Sequence, residues 1–157
     1  MRVSLSDWTN EGRLRAHRTS RRDVADLFSV ADLALRDAEL AGLLPDRAFF
    51  AAYDAARALA TVVLAAAGYR PDGVGQHSTT FLALPQVMGK ERSDLAHYLD
   101  ACRAKRNVGE YRRAGLIRQE EVQQLAAAAR ELREQVVVWL RVYHPHLLPA
   151  EAEESGE

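Results

Sequence analysis

The sequence predicts an all-α protein, an up-and-down bundle of about four to five helices. Apolar residues recur at helical spacing in several long segments, and no segment alternates convincingly with period two. Aromatic residues make up only 7% of the chain, so the core must be filled mainly by Ala, Leu and Val. This composition favours closely packed helices over sheets. We expect one bundle over residues 19–148, preceded by an N-terminal arm (1–18) and followed by an acidic tail (149–157).

The helices are predicted in order from their end signals and apolar spacing. Trp8 is expected to anchor the arm, and Thr19 or Ser20 caps the first helix. Pro45 opens the second helix, whose nearly continuous apolar sequence to residue 67 predicts the most buried helix. A Gly- and Pro-containing loop (69–77) leads to a short helix at 78–88, bent at Pro85, and then to a helix at 93–111.

The last helix is predicted at 119–143. The acidic tail of the chain, at 149–157, is expected to be frayed and solvated. Its expected core face consists of Val122, Leu125, Ala129, Leu132, Val136, Trp139 and Tyr143.

Composition and charge exclude several classes of protein. The net charge of −1 gives the whole molecule no general attraction to nucleic acid, so such binding would need a local basic patch. The single cysteine, Cys102, excludes an intrachain disulfide framework and is typical of a reducing cytoplasm. The N-terminus has no apolar signal core, and the longest apolar stretch is interrupted by Arg57. We therefore expect a cytoplasmic protein without a membrane segment.

The helix at 93–111 carries the strongest functional signal. Arg106 continues the apolar stripe of Leu95, Leu99 and Cys102, so it is expected to face the bundle or a cleft beside it. A second, neighbouring stripe on this helix consists of Asp100, Arg103, Asn107 and Tyr111. Lys105, Arg112 and Arg113 add positive charge close by.

These side chains suit phosphate or RNA. Guanidinium donors match phosphate oxygens, Asn107 offers a donor and an acceptor, and Tyr111 can stack on a base. The alternative is structural: Arg103 and Arg106 pair with Asp100 or Glu110 on their own helix, or with Asp54 on another.

The run Arg103-Ala-Lys-Arg-Asn-Val-Gly-Glu-Tyr111 resembles the signature helix of the HEPN superfamily. The segments at 51–57, 67–71 and 75–77 resemble, in order and spacing, bacterial HEPN proteins encoded beside nucleotidyltransferases. The resemblance covers roughly residues 20–143. It implies a homodimeric helical bundle, and in many members a metal-independent ribonuclease of toxin–antitoxin or defence systems.

The resemblance also implies roles for single residues. In the family an Arg followed by a polar residue stabilises phosphate, and a His four to six positions later assists attack by the ribose 2′-hydroxyl. Arg106 and Asn107 match the first half, whereas Tyr111 occupies the place of the His. A tyrosine of ordinary pKa is a poor general base at neutral pH. The sequence thus supports the HEPN fold better than HEPN nuclease activity.

Other polar residues were weighed as contributors to this site. His77 either approaches the phosphate, from its loop or across a dimer, or only caps the next helix; His97 lies too far along its helix. Between residues 48 and 67 the buried helix has four polar positions, Tyr53, Asp54, Arg57 and Thr61. Asp54 is expected to pair with Arg57 or with Arg106, and in pairing with Arg106 it would also orient that guanidinium; Asp54 and Arg57 thus support the site from behind the phosphate-binding residues. No metal site or cofactor is expected, since one Glu-x-x-His-like spacing at 94–97 is insufficient for a di-metal bundle.

The expected function is a HEPN-like RNA- or nucleotide-binding protein with weak or lost ribonuclease activity. Its catalytic residues would be Arg106, Asn107 and Tyr111. Phosphate would be bound further by Arg103, Lys105, Arg112 and His77. The alternative is a non-catalytic homodimeric module that docks a partner such as a nucleotidyltransferase.

Overall fold

The computed structural model describes residues 4–111 and 117–154, with the side chains of 108–111 and 154 excepted. The elements, in chain order, are α1 (Leu5–Asn10), β1 (Leu14–Ala16), α2 (Arg21–Ala38), α3 (Pro45–Ala66), β2 (Tyr69–Pro71), α4 (Gln76–Leu82), α5 (Leu84–Met88), α6 (Ser93–Tyr111), α7 (Gln119–Tyr143) and α8 (Ala150–Glu154). Short 3-10 turns at Lys90–Arg92 and Pro145–Leu147 precede α6 and α8. The protein is mostly helical, as predicted.

Local signals set the helix ends. The Ser20 hydroxyl accepts a hydrogen bond from the Asp23 backbone N–H at 3.1 Å, which confirms the predicted cap of α2. Pro45 is the first residue of α3, where its missing N–H costs nothing. The predicted helix at 78–88 begins two residues earlier, at Gln76. It divides into α4 and α5 at Ala83, two residues before Pro85.

Helix α3 is the centre of the bundle. It packs chiefly on α2 and α7, and also contacts α4 and α6. Its 22 residues are long and apolar enough to cross a membrane, contrary to the expectation from sequence, but 72% of its apolar window is buried within the protein. Such burial is typical of a core helix. The few polar side chains of α3 therefore lie where α4 and α6 pass over it.

The N-terminal arm is folded onto the bundle. Trp8 in α1 is only 4% exposed, which confirms its anchoring role, and the Arg13 guanidinium lies 4.3 Å from its ring centroid. Strand β1 pairs antiparallel with β2, with Arg15 opposite Arg70. This small sheet corrects the purely helical expectation and the prediction of a loop at 69–71. Strands of three residues are too short for a period-two pattern to be visible in the sequence.

The C-terminal segment is also docked, contrary to the prediction of a frayed tail. Ala152 in α8 is 2% exposed, and its carbonyl accepts a hydrogen bond from the Arg133 guanidinium at 3.1 Å. The core face predicted for α7 is confirmed from Val122 to Trp139, but Tyr143 is 67% exposed. The Tyr143 ring lies beside the Trp139 ring, with the two centroids 6.3 Å apart.

Candidate functional site

Arg106 reaches from α6 across to α3. Its side chain is half-buried, and the guanidinium carbon lies 5.2 Å from the ring centroid of Tyr53 and 5.4 Å from that of Phe50. Both distances fall within the range of cation–π attraction. The sequence prediction that Arg106 faces the bundle is confirmed, and the two aromatic rings determine where its charge is held.

Tyr53 connects Arg106 with His77. The tyrosine side chain is 1% exposed, and its ring packs edge-on against Phe81 at 5.7 Å between centroids. Its hydroxyl forms a hydrogen bond of 3.0 Å with Nδ1 of His77. Burial raises the pKa of the phenol to about 12, against the attraction of Arg57 and Arg106. The phenol is therefore neutral at physiological pH and can donate or accept.

His77 is the second residue of α4 and is half-buried. The N-cap residue of this helix is Gly75, whose φ of +75° is easily adopted only without a side chain. Burial lowers the pKa of the imidazole, and the positive charges of Arg57, Arg106 and Arg103 lower it further, against a smaller opposite effect of Asp54. The imidazole is thus held neutral at pH 7.

Arg103 and Asp100 of α6 form an ion pair, and Arg103 lies within the electrostatic reach of His77. Nε of Arg103 donates to Oδ1 of Asp100 at 2.8 Å, so the predicted pairing within α6 is confirmed for this arginine. Burial opposes ionisation of Asp100, but hydrogen bonds from Arg103 and from Ser78 of α4 outweigh it and lower the carboxyl pKa. Asp100 therefore stays ionised and fastens α6 to the start of α4.

Seven side chains from three helices form what we call the Tyr53 cluster. They are Tyr53, Asp54 and Arg57 of α3, His77 of α4, and Asp100, Arg103 and Arg106 of α6. Three guanidinium groups stand against two carboxylates, so the cluster is locally positive on a chain of net charge −1. Arg57 is exposed, which places the cluster within reach of solvent. A small anion such as phosphate is the ligand that this charge balance favours.

Not every predicted site residue joins the cluster. Lys105 forms an ion pair with Glu121, which also accepts the backbone N–H of Arg118 at 2.8 Å and so caps α7. Lys105 is thereby directed towards α7. Asn107 is exposed, and none of the contacts described for the chain joins it to the Tyr53 cluster. The Tyr111 side chain and the whole of Arg112 lie outside the described residues, so their proposed roles stay predictions.

The sequence contained one unused signal for this site. Tyr53 is a polar side chain on an otherwise apolar helix, and a buried hydroxyl needs a partner. Its partner, His77, is 24 residues away, so spacing along one helix could not identify it. His97, by contrast, is exposed, and its Nδ1 bonds the Ser93 carbonyl of its own helix at 2.8 Å.

No group of three or more His, Cys, Asp or Glu among the described residues is arranged to hold a metal ion. Comparisons with protein-family models, with curated proteins and with solved structures gave no match for this chain.

Proposed function

We propose that this chain is a HEPN-like protein that binds the phosphate groups of RNA or nucleotides at the Tyr53 cluster. The observation that carries the proposal is a neutral phenol–imidazole pair within the electrostatic reach of Arg57, Arg103 and Arg106, with the Arg106 guanidinium 5.2 Å from the Tyr53 ring centroid. Guanidinium groups bind phosphate oxygens through two parallel hydrogen bonds, and planar Tyr and His side chains suit a nucleotide.

The burial of the cluster supports a binding role. Arg57 is exposed, while Arg106 is half-buried over two aromatic rings, so an anion would meet one solvent-exposed and one positioned guanidinium. A partly desolvated charge attracts a ligand more strongly than one in bulk water, because the effective dielectric is lower. The chain has no general positive charge, so binding would be local to this cluster.

The experiment is RNA binding measured by fluorescence anisotropy in the presence of a chelator. Arg57→Gln is the sharpest variant, because this exposed side chain can be changed without disturbing the core. Loss of a charged hydrogen bond should weaken binding about 10- to 100-fold and reduce the salt-dependence slope by roughly 0.7, the value for one single-strand phosphate contact. Arg141→Gln, an exposed arginine paired with Glu153 on the surface, is the matched control.

Equal affinities for wild type, Arg57→Gln and Arg141→Gln would remove the phosphate-binding proposal. Arg106→Lys then separates charge from shape in the buried position: a lysine keeps the positive charge but not the planar two-point donor. Weaker binding by Arg106→Lys, with unchanged circular dichroism, would support a direct contact by the guanidinium.

A second candidate is a non-catalytic module that forms a homodimer or docks a nucleotidyltransferase. It is favoured by an apolar surface on α7, where Val138, Val142 and Tyr143 are 55%, 64% and 67% exposed. Light scattering of wild type and Val142→Glu distinguishes the two candidates. A wild-type dimer that Val142→Glu dissociates, with no RNA binding by either, would favour the module; a wild-type monomer would exclude the homodimer.

A further inference from the structure

We propose that His77 takes up a proton when an RNA phosphodiester binds at the Tyr53 cluster, with Tyr53 as the residue that stabilises the protonated ring. Binding is then coupled to pH, and His77 becomes a ligand-contacting cation. This inference rests on the proposed phosphate-binding function and specifies how the site recognises its anion.

The cluster keeps His77 neutral for reasons that a bound anion reverses. Among the described residues, the charged groups that reach the imidazole are Asp54 and Arg57 from α3 together with Arg103 and Arg106 from α6. Asp100, also on α6, is already engaged by Arg103 and Ser78. A phosphodiester placed among the guanidinium groups cancels their repulsion of a further proton and adds a negative charge that attracts one.

The hydrogen bond to Tyr53 gives the proton a stable position. An imidazolium has two N–H donors and needs two acceptors when it is partly buried. Nδ1 lies 3.0 Å from the Tyr53 hydroxyl, and once the ring is protonated Nδ1–H donates to that oxygen, with the phenol proton turned away from the imidazole. Among the described residues, Nε2 has no hydrogen-bond partner, so this second donor is left for a phosphate oxygen.

Tyr53 is a positioning residue in this scheme. Its ring packs against Phe81, lies close to the guanidinium of Arg106 and is 1% exposed, so the hydroxyl cannot move away from His77 without unpacking the core. Tyr53→Phe removes only the oxygen and keeps the aromatic contacts with both neighbours. A merely structural tyrosine would change stability but not the number of protons bound with RNA.

The test measures RNA affinity between pH 5.5 and 8 with an oligouridylate that ends in hydroxyl groups. Terminal phosphates must be avoided, since their second ionisation falls in this range. Each unit by which RNA raises the pKa of His77 strengthens binding tenfold at low pH. We expect wild-type affinity to rise about tenfold from pH 7.5 to 5.5. Calorimetry in buffers of different ionisation enthalpy should show proton uptake on binding.

His77→Gln should lose most of this pH dependence, and Tyr53→Phe should shift it to lower pH by about one unit. His97→Gln, the exposed histidine of α6, should behave like wild type. If RNA binds with no pH dependence, or if His77→Gln keeps the wild-type slope, the inference is wrong while the proposed function stands. Absence of RNA binding at every pH removes both.

A measurement without substitution guards against variants that fold poorly. The His77 ring proton signal, followed by NMR against pH, reports the titration of this imidazole directly. RNA should move its midpoint upward by at least one unit if the coupling is tenfold or more. A midpoint that RNA leaves unchanged would overturn the proposal, whatever the variants show.

Discussion

Replacement of Asp32 by Asn should destabilise the protein by about 2 to 3 kcal/mol, because it leaves a buried guanidinium without its counterion. Arg133 is 6% exposed, and it donates to the two carboxylate oxygens of Asp32 at 2.7 and 3.1 Å. Breaking a buried pair by removing one partner typically costs ~3–5 kcal/mol. The cost expected here lies at or just below the lower end of this range, since the Asp32 side chain is 22% exposed and the Asn oxygen still accepts one hydrogen bond.

Urea unfolding followed by circular dichroism measures this cost, and the melting temperature should fall by roughly 2–4 °C for each kcal/mol. The matched control is Arg141→Gln, which breaks a pair whose members are 54% and 43% exposed. That change should cost no more than about 1 kcal/mol. Because Arg133 also bonds the Ala152 carbonyl, Asp32→Asn should speed hydrogen exchange in α8. Equal stabilities for the two variants would refute the reasoning.

Two further predictions concern the cap of α2 and the imidazole of the cluster. Ser20→Ala should lower the free energy of unfolding in urea by about 1 kcal/mol, because the Asp23 N–H loses its acceptor. Ser29→Ala, at an exposed position of the same helix, should leave this free energy unchanged to within ~0.5 kcal/mol. A similar loss of stability in both variants would count against capping. Since the folded-state pKa of His77 is lowered, the unfolded chain binds this proton more readily, so stability should fall as pH decreases from about 6.5 through the lowered value. His77→Gln should flatten that part of the profile, and an unchanged profile would contradict the assignment.

The parts of the fold that the sequence predicts are those set by local interactions. Ser20 and Pro45 act on the backbone within one turn, and the long helices show their apolar faces in every turn. The docking of the C-terminal segment depends instead on Arg133 meeting Asp32, 101 residues apart. An acidic, weakly periodic segment such as 149–154 carries no local sign of that contact.

The same distinction applies to the site. Arg106 could be predicted because an arginine that continues an apolar stripe must face a neighbouring element. Its expected neighbours, Asn107 and Tyr111, were taken from the same helix, since only spacing within a helix can be read from sequence. The residue that α3 brings to Arg106 is Tyr53, and α4 brings His77. Their association depends on how helices cross, which no spacing along the chain encodes.

The charge balance of the Tyr53 cluster argues for a ligand rather than for a purely structural network. A structural network gains most when each buried charge meets an opposite one, as Arg133 does with Asp32. Among the described side chains around Tyr53, three guanidinium groups and two carboxylates lie together, and the positive charges add to the effect of burial in lowering the pKa of His77. Like charges placed close together repel one another, and this repulsion opposes folding. An anion that settles among Arg57, Arg103 and Arg106 would remove that repulsion, so the arrangement becomes favourable with the ligand bound.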